Sequence, residues 1–597
     1  WHREFILGQK ARGEAHGQFL SFISSSQEIM SGLDQNISYS GQKTRHFIRS
    51  TAAAERSEAT SQEKPPKALT PKGRAPFNSA KPLLDYDACE IFANGQIGDV
   101  LGAEFKEIDS YPTRVRLPEG PLLLCHRIMS VEGTPKSMGT GRLITEHDVH
   151  ADAWYLDNNR IPACISIESG QADLFLSAYL GVDFLTKGQR VYRLLDAAVT
   201  FHDELPKPGS VIVYDIKITG FFFQSQTPFF RFNFEAKVDG KKLMTMEDGC
   251  AGFFSQGELD SGRGVVKPPL LLQPVPGKIT GDFSYPLPMP RTSYSERQLD
   301  ALRLGDLANC FGEPFDKLEL SKPLTLPSDM LRLVHRITDL DPVGGRYGIG
   351  KVIGEADINP DDWFITCHFM DDMVMPGTLM YECCLHTLRV FLLRAGWVGN
   401  EEEFRVEPKI GVASKLKCRG QVLASAKVVR YEIEIKEIGY GPDAYVIADA
   451  LMFADDKAIV DITDMSLCHP GLTKQKVEKT WGIFSPAFTK QQLLEFADGQ
   501  PSRCFGEHYE VFDSGEKRCA RLPRPPFLLM DSVTKVDGPL GCLQAGTKAT
   551  SSFIFTRDSW YQKANGDSKG MPFSILLEVA LQPCGFLAAY MGSALTS

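Results

Sequence analysis

The sequence predicts an α+β protein built from tandem copies of one unit, and two observations predict that fold class. Three segments spaced by about 200 residues repeat the same order of features: an apolar run, a glycine-rich stretch of strand character, an aromatic pair, a proline and an apolar helix. After the helix, the first two copies continue into the alternating patterns "VIVYDIKITGFFF" and "VVRYEIEIKEI". Each copy therefore combines strands with one apolar helix.

The copies also correspond in their short motifs. The apolar run leads into "CHRIMSVEG" from Cys125, "VHRITDLDP" from Val334 and "MDSVTKVDG" from Met530. The aromatic pairs are Trp154-Tyr155, Trp363-Phe364 and Trp560-Tyr561, and the helices are "PACISIESGQADLFLSAYLG", "PGTLMYECCLHTLRVFLLRAG" and "PFSILLEVALQPCGFLAAYMG". The third copy stops at Ser597, inside or just after its helix, and we expect the parent polypeptide to continue into a fourth, histidine-bearing copy.

Length and composition are those of a multidomain globular protein. The chain has 597 residues, enough for roughly three to four domains, with 43% hydrophobic and 23% charged residues. Its net charge of −10 argues against a nucleic-acid partner. Fourteen cysteines without a C-x-x-C spacing predict reduced thiols in a cytoplasmic protein, and no apolar run reaches the roughly 18 residues of a membrane span. Because the chain begins at Trp1, we expect it to belong to a longer polypeptide.

Shifts in composition divide the chain into copies and connecting segments. The stretch "TAAAERSEATSQEKPPKALTPKGRAPF" cannot bury enough apolar surface to fold, and it predicts a flexible linker. The predicted segments are the tail of a preceding domain or a helical linker (1–50), a flexible linker (51–83), the first copy (84–260), a Pro-rich linker (261–300), the second copy (301–470), a short linker (471–490) and a partial third copy (491–597).

Each predicted helix carries one glutamate six residues after its proline: Glu168, Glu382 and Glu578. These helices are apolar nearly all round, which is typical of a helix buried inside a domain. Burying a carboxylate is unfavourable unless it is neutral, paired or used, and burial raises its pKa towards that of a general acid at neutral pH. The alternative is a glutamate favoured by the dipole of a nearby helix N-terminus.

His368 is the second residue of chemical interest. It lies shortly before the Pro376-Gly377 helix start, where free backbone amides can polarise a carbonyl oxygen. A base beside such a site could remove a proton α to that carbonyl. The alternative is a satisfied histidine of the core. By contrast, His126 and His335 occupy one place in two copies where the third has Asp531, so they are interpreted as structural polar residues.

The segment that joins these features resembles a known family. "WFITCHFMDDMVMPGTLMYE" is similar to the active-site segment of the β-hydroxydecanoyl-ACP dehydratase/isomerase family, and "LKCRGQVLASAKVVRYEIEIKEI" to a later strand segment of that family. The arrangement over residues 84–597 resembles the tandem dehydratase region of bacterial polyunsaturated fatty acid synthases. The resemblance implies tandem hot-dog domains, in which an antiparallel sheet wraps a long central helix. It also implies that the first two pair as a double hot dog, an intrachain pseudo-dimer.

The resemblance implies a site shared between two hot dogs, one supplying a histidine and the other a helix carboxylate. We therefore expect His368 to act with Glu168, the amide of Gly377 to hold a carbonyl oxygen, and Phe369 and Pro376 to contact substrate. Glu382 and Glu578 would mark vestigial or second sites. The first and third copies are interpreted as pseudo-dehydratases without the histidine, since Asn159 and Asn565 stand at the corresponding offset from the aromatic pair. This chain has Glu where the dehydratase/isomerase members have Asp.

The implied reaction is elimination of water from a 3-hydroxyacyl thioester to give the trans-2-enoyl thioester. The resemblance also leaves isomerisation of trans-2 to cis-3 open. No cofactor or metal is expected to bind directly, because the sequence shows no cluster of metal ligands and no glycine-rich phosphate loop. The resemblance implies that the substrate arrives on the phosphopantetheine of acyl carrier protein. The expected partners are acyl carrier protein domains, other domains of the same megasynthase and, in one alternative, a second copy of the chain.

Two other functions remain open from the sequence. Because two of three copies lack the histidine, a non-catalytic scaffold that binds acyl carrier proteins is one alternative, although His368 and the intact Met-Pro-Gly argue against it. A thioesterase is the other alternative, because one fold can host several activities. Acyl chain length, the balance of dehydration and isomerisation, oligomeric state and the role of the third copy are not predicted.

Overall fold

Two copies of one six-stranded unit dominate the computed structural model. The structure describes residues 76–595 except 79, 281–282, 400–404, 483–486, 556–558 and 565–569. The predicted segment 1–50, most of the linker 51–83 and the predicted helix around "GQFLSFISSSQEIM" lie outside the described residues. The strands are β1 Arg127–Glu132, β2 Gly141–Asp148, β3 Val191–Phe201, β4 Val211–Gln224, β5 Thr227–Val238, β6 Lys241–Phe254, β7 Lys278–Thr280, β8 Thr292–Tyr294, β9 Arg336–Asp341, β10 Lys351–Asp357, β11 Ala413–Cys418, β12 Val428–Tyr440, β13 Asp443–Ala454, β14 Lys457–Thr473, β15 Ser532–Asp537 and β16 Lys548–Ser552.

Both units have the same strand order. The first runs β1-β2-β4-β5-β6-β3 and the second runs β9-β10-β12-β13-β14-β11, with every neighbouring pair antiparallel. Strands β3 and β11 pair antiparallel, from Ala413 opposite Thr200 to Lys417 opposite Asp196, and thereby join the units into one continuous sheet. We refer to the first unit as hot dog 1 and the second as hot dog 2. The predicted double hot dog is confirmed.

Helices pack against the sheet and form the connections between strands. They are α1 Tyr86–Asn94, α2 Ile97–Leu101, α3 Ala163–Glu168, α4 Asp173–Tyr179, α5 Val182–Thr186, α6 Gln256–Asp260, α7 Glu296–Arg303, α8 Leu307–Phe311, α9 Trp363–Thr366, α10 Gly377–Arg394, α11 Lys474–Thr480, α12 Lys490–Asp498, α13 Ser502–Phe505, α14 Trp560–Ala564 and α15 Phe573–Tyr590; short 3-10 turns span Ala103–Ser110, Pro269–Leu272, Phe315–Lys317, Asp329–Leu331 and Glu507–Phe512. In α10 every residue from Thr378 to Arg394 is buried, as expected for a helix wrapped by a sheet.

The central helix of hot dog 1 differs from the prediction because it is broken into α3 and α4. A Cβ on Gly170, which lies in the break, would sit 2.8 Å from ring atoms of both Phe234 and Tyr214. The Tyr214 hydroxyl also donates to the carbonyl oxygen of Ser166 at 2.7 Å, which a continuous helix would offer to the amide of residue 170. Packing against two aromatic strand residues therefore interrupts the predicted single helix.

His126, His335 and Asp531, which occupy the same place in the three copies, have structural roles. His126 Nδ1 accepts a hydrogen bond from the amide of Asp148, and His335 Nδ1 accepts one from the amide of Asp357. In the third copy the carboxylate of Asp531 accepts from the amide of Ile554. Each side chain thus closes the same pair of neighbouring strands, β1 with β2, β9 with β10 and β15 with β16, so the structural interpretation of the two histidines is confirmed.

Part of the predicted Pro-rich linker joins hot dog 2. Strand β7 pairs in parallel with β12, and β8 pairs antiparallel with β9 at the edge of the sheet. Between hot dog 1 and β7, the side chains of Leu270 and Leu272 are 81% and 60% exposed, as expected of a connecting segment. The domain boundaries themselves stay predictions.

The third copy contains β15, β16 and α15 and forms a core of its own around Phe496, Phe505 and Phe586. Because the described residues of this copy include no further strands, one face of α15 is exposed: Phe573 is 76% and Leu576 54% exposed. Among the described residues, Phe573–Tyr590 is the one helix long and apolar enough to cross a membrane, by length and composition alone. It stands where hot dog 2 has its central helix, which accounts for that composition.

Candidate active site

His368 lies between α9 and α10 in a loop that returns on itself. Its ring atom Nδ1 lies 2.8 Å from the carbonyl oxygen of Val374, whose amide donates to the His368 carbonyl oxygen at 2.8 Å. Only a protonated nitrogen can bond a carbonyl oxygen, so the proton of the neutral ring resides on Nδ1. The opposite nitrogen, Nε2, therefore keeps its lone pair and can accept a proton.

Glu168, the last residue of α3 in hot dog 1, faces this nitrogen from the other unit. Its Oε1 lies 3.8 Å from His368 Nε2, and its Oε2 accepts a hydrogen bond of 2.6 Å from the hydroxyl of Thr378 in α10. Glu168 is 7% exposed and His368 is 9% exposed. The structure thus brings together the predicted pair, although 200 residues separate its members in the chain.

Burial shifts the pKa values of Glu168 and His368 in opposite directions. It raises the pKa of Glu168 to about 7, against the opposing effect of the Thr378 hydrogen bond. It lowers the pKa of His368 to about 4, against the opposing effect of the Val374 carbonyl. A low-dielectric environment disfavours the charged form of either group. Near neutral pH the pair is therefore a neutral base beside a carboxyl group that retains a proton, as acid–base catalysis requires.

The start of α10 provides a hydrogen-bond donor at the same place. Pro376 precedes the helix and Gly377 is its first residue, so the amide of Gly377 is one of the unpaired donors of a helix N-terminus. A Cβ on Gly377 would meet, within 4 Å, only the side chain of Leu194. Gly377 also lines the cavity that contains His368 and Glu168, where its amide can hold an oxygen that develops negative charge.

These groups line one cavity of about 60 Å³ that is partly open to solvent. Its apolar lining includes Leu174, Leu194, Phe369, Val374, Met375 and Met380. The ring of Phe369 lies 3.9 Å from that of His368, centroid to centroid. Phe369 thus lines the cavity as expected for a substrate contact. Pro376, also expected to contact substrate, is not among the residues that line this cavity and instead caps the start of α10. The mostly apolar wall suits an acyl chain.

Glu382 is buried in the pseudo-equivalent place but has different partners. Its Oε2 accepts a hydrogen bond of 2.9 Å from the amide of Cys164, near the start of α3, and its Oε1 lies 3.2 Å from His386 Nε2. Burial raises the pKa of Glu382, but His386 and the Cys164 amide outweigh it and leave that pKa below its ordinary value. This carboxylate itself takes a helix-start amide that could otherwise hold a substrate oxygen.

The loop opposite Glu382 is a tight turn. Asp157 and Arg160 exchange backbone hydrogen bonds of 2.9 and 3.0 Å, and Asn158 and Asn159 between them have φ angles of 48° and 60°. Asparagine adopts this left-handed region more readily than most residues, which explains the residue type at the offset where hot dog 2 has its histidine. The shortened loop of hot dog 1 therefore forms a tight turn with asparagine at the place of the histidine.

The sequence did not predict three residues that line the cavity of His368 or the pocket of Glu382. Thr378 follows Gly377 directly, but nothing in its position indicated a bond to Glu168. His386 could have been found, since it stands four residues after Glu382 on one helix face. Arg193, which also lines the cavity, comes from β3 of hot dog 1 without a local motif.

The third glutamate is not buried as its companions are. Glu578 is half-buried on α15, where its Oε1 accepts a hydrogen bond of 3.1 Å from the Gln582 side chain. The expectation of three buried helix carboxylates therefore holds for Glu168 and Glu382 and is wrong for Glu578. Asn565, at the histidine offset of this copy, lies outside the described residues.

Comparison with known proteins adds two kinds of likeness. Residues 117–247 and 326–463 each match the FabA-like domain family. A polyunsaturated fatty acid synthase polypeptide of Thraustochytrium sp., one of the subunits of that synthase, is 35% identical over 375 residues, which cover 62% of this chain and 25% of that protein. The chain thus spans about a quarter of the length of this curated relative. The resemblance of the His368 segment, which lies inside the second matched region, is confirmed.

Solved structures are similar at much lower identity. The dehydratase domain of RzxB from Pseudomonas fluorescens is 10% identical with a TM-score of 0.31, and the match covers 58% of this chain and 98% of that one. The 12:0-ACP thioesterase from Umbellularia californica is 9% identical with a TM-score of 0.28, and the match covers 55% of this chain and 93% of that one.

Proposed function

Because the chain carries two FabA-like domains and is homologous to part of a polyunsaturated fatty acid synthase, we propose that it is a 3-hydroxyacyl thioester dehydratase. The observation that carries this proposal is the pair at the cavity: a neutral imidazole with a free Nε2, 3.8 Å from a buried glutamate whose pKa is raised to about 7. An elimination of water needs such a base and such an acid at one place.

In the proposed reaction, Nε2 of His368 removes the proton on the α-carbon. The Gly377 amide holds the thioester oxygen as it gains negative charge. The electron pair of the broken C–H bond forms the new double bond, the C–O bond at the β-carbon breaks, and Glu168 protonates the departing hydroxyl so that it leaves as water. The step ends with an imidazolium and a carboxylate, whose opposite charges stabilise each other across 3.8 Å until the proton returns from His368 to Glu168.

The proposed substrates are acyl chains carried on the phosphopantetheine of acyl carrier protein. The apolar cavity walls fit an acyl chain. Elimination of water is redox-neutral, so the reaction requires no redox cofactor. The partners we propose are carrier-protein domains and other domains of a multidomain synthase, in line with the homologue. All fourteen cysteines are free thiols, most of them buried, which supports a place in the reducing cytoplasm.

The direct test compares His368→Ala with a matched variant, His386→Ala. Both histidines are buried, at 9% and 3% exposure, but His386 faces Glu382. A 3-hydroxyacyl pantetheine thioester is incubated with each folded variant, and mass spectrometry follows loss of water and release of free acid. We expect His368→Ala to lose about 10²–10⁴-fold in dehydration rate and His386→Ala to retain it.

The alternatives have different outcomes in the same assay. Undiminished dehydration by His368→Ala would refute the role of His368, and a wild type that forms neither enoyl product nor free acid would favour the scaffold. Free acid as the wild-type product would identify a thioesterase. Chromatographic separation of the trans-2 and cis-3 enoyl products measures isomerisation, in which a proton leaves the γ-carbon and a proton is added at the α-carbon.

A further inference from the structure

The loop of hot dog 2 that carries His368 is anchored by arginines of hot dog 1. We propose that Arg193 and Arg116 are positioning residues for the dehydration, acting on His368 through Asp372 and Asp371 at the tip of this loop. The inference rests on the proposed function and adds to it: the neighbouring hot dog contributes the framework that holds the base as well as the acid.

Arg193 forms a bidentate salt bridge with Asp372 through the two terminal nitrogens of its guanidinium group. Its Nη2 donates to Oδ1 at 2.9 Å and its Nη1 bonds Oδ2. Its Nε donates to the side-chain oxygen of Gln421 at 2.6 Å, which fixes the plane of the guanidinium. The side chains of Arg193 and Asp372 are 12% and 14% exposed. A two-pronged arginine–carboxylate pair of this kind is geometrically specific and little screened by solvent.

A second contact holds the adjacent carboxylate. Arg116 Nε and Arg114 Nε donate to the same oxygen of Asp371, at 3.0 and 3.2 Å. The Arg116 side chain is fully buried. Its remaining nitrogens donate to the backbone carbonyl oxygens of Phe92 at 3.0 Å, Ala93 at 3.2 Å and Gly95 at 3.1 Å. The side chain of Arg116 is therefore held in place at the end of α1, and Asp371 is hydrogen-bonded to it.

Backbone hydrogen bonds connect these anchors to the histidine. Phe369 and Asp372 exchange amide–carbonyl bonds of 2.7 and 3.1 Å, and Val374 bonds both the carbonyl and the ring of His368. At the other end of the loop, the amide of Glu119 in hot dog 1 donates to the carbonyl oxygen of Cys367 at 2.8 Å. A shift of Asp371 or Asp372 would therefore move the His368 ring relative to Glu168.

The loop of hot dog 1 supplies a matched comparison. Asp157, in the tight turn opposite Glu382, is bound by Arg389 of hot dog 2, another cross-unit pair of arginine and aspartate. The side chains of Arg389 and Asp157 are 4% and 20% exposed, close to the values for the Arg193 pair. Asp157→Asn thus disturbs a similar ion pair between the units without touching the His368 loop.

The test measures kcat and KM of the full chain for a 3-hydroxyacyl pantetheine thioester in Asp372→Asn, Arg193→Lys and Asp157→Asn. Misplacing a base by a fraction of an ångström to one ångström lowers the rate by about 10–100-fold. In Asp372→Asn we expect kcat to fall by about that factor, with KM changed less than about threefold. In Arg193→Lys we expect a smaller fall in kcat, because lysine keeps one charged donor. Asp157→Asn should keep kcat within about twofold.

Thermal unfolding separates positioning from general destabilisation. All rates are taken well below the unfolding midpoints, and Arg193→Lys provides the test if Asp372→Asn does not fold. Unchanged kcat in the loop variants, a loss confined to KM, or an equal kcat loss in Asp157→Asn would overturn the inference. If wild-type protein dehydrates and His368→Ala does not, the proposed function stands whatever these variants do; an inactive wild type would instead remove the proposed function itself.

Discussion

Exchange of each helix glutamate for glutamine distinguishes a site shared between units from one within a unit. The two carboxylates stand at the same place in pseudo-equivalent helices and are 7% and 5% exposed for Glu168 and Glu382. In Glu168→Gln the amide oxygen can still accept the Thr378 hydrogen bond, so the geometry is preserved. What disappears is the proton that the departing hydroxyl takes. General acid catalysis contributes about 10²–10⁴-fold, or about 3–5 kcal/mol of activation free energy.

The assay is the steady-state rate of enoyl formation from a 3-hydroxyacyl pantetheine thioester. We expect Glu168→Gln to lose about 10²–10⁴-fold in kcat. Glu382→Gln should stay within a few-fold of wild type, because Glu382 is bonded to Cys164 and His386 and does not contact the cavity that contains His368. Equal losses in the two variants, or the larger loss in Glu382→Gln, would refute a shared site made of His368 and Glu168.

Three further outcomes follow from the same geometry. The dehydration rate, as kcat/KM, should fall tenfold per pH unit above about pH 7, where Glu168 loses its proton, and Glu168→Gln should abolish this limb; a limb that persists in the variant would contradict the assignment. Glu382 has a lowered pKa, so its ionised form stabilises the fold above the ordinary glutamate pKa and that stability is lost as pH falls through the folded pKa. Urea unfolding of Glu382→Gln should therefore show a loss of about 2 kcal/mol at neutral pH that shrinks in acid, and a loss independent of pH would be inconsistent with this linkage. Replacing the exposed Phe573 and Leu576 by serine should reduce binding of an apolar dye by the whole chain without lowering its unfolding midpoint, and unchanged dye binding would show that α15 is covered.

The sequence predicted the architecture well because its signals are local and repeated. Alternating residues and one apolar helix per copy indicate strands and a core helix without knowledge of distant contacts. The break at Gly170 could not be predicted in this way. It depends on the rings of Tyr214 and Phe234, which reach the helix from strands more than 40 residues later.

The candidate site was predictable in part for the same reason. A glutamate inside an apolar helix and a histidine before Met-Pro-Gly are visible as short patterns, and the family resemblance indicated that they act across copies. The contacts that hold the His368 loop are not visible, because Arg193 is 179 residues from Asp372 and Arg116 is 255 residues from Asp371. Side chains so far apart in sequence leave no periodicity that could pair them.

The second pocket shows a different limit of sequence reasoning. From the sequence, Glu382 is expected to face a loop that has lost its base. In the structure it faces that loop but is also paired with His386 on its own helix and with the start of α3, inside a small pocket of about 30 Å³. Glu382 therefore makes a structural contact between the two hot dogs.

The most direct test of the central claim is a crystal structure of the Glu168→Gln variant with a 3-hydroxyacyl pantetheine thioester bound. We predict the thioester oxygen about 3 Å from the amide of Gly377, the hydroxyl within hydrogen-bond distance of the side chain at position 168, and the α-carbon facing Nε2 of His368. A ligand whose hydroxyl instead contacts Glu382, or whose α-carbon lies away from His368, would contradict the shared site.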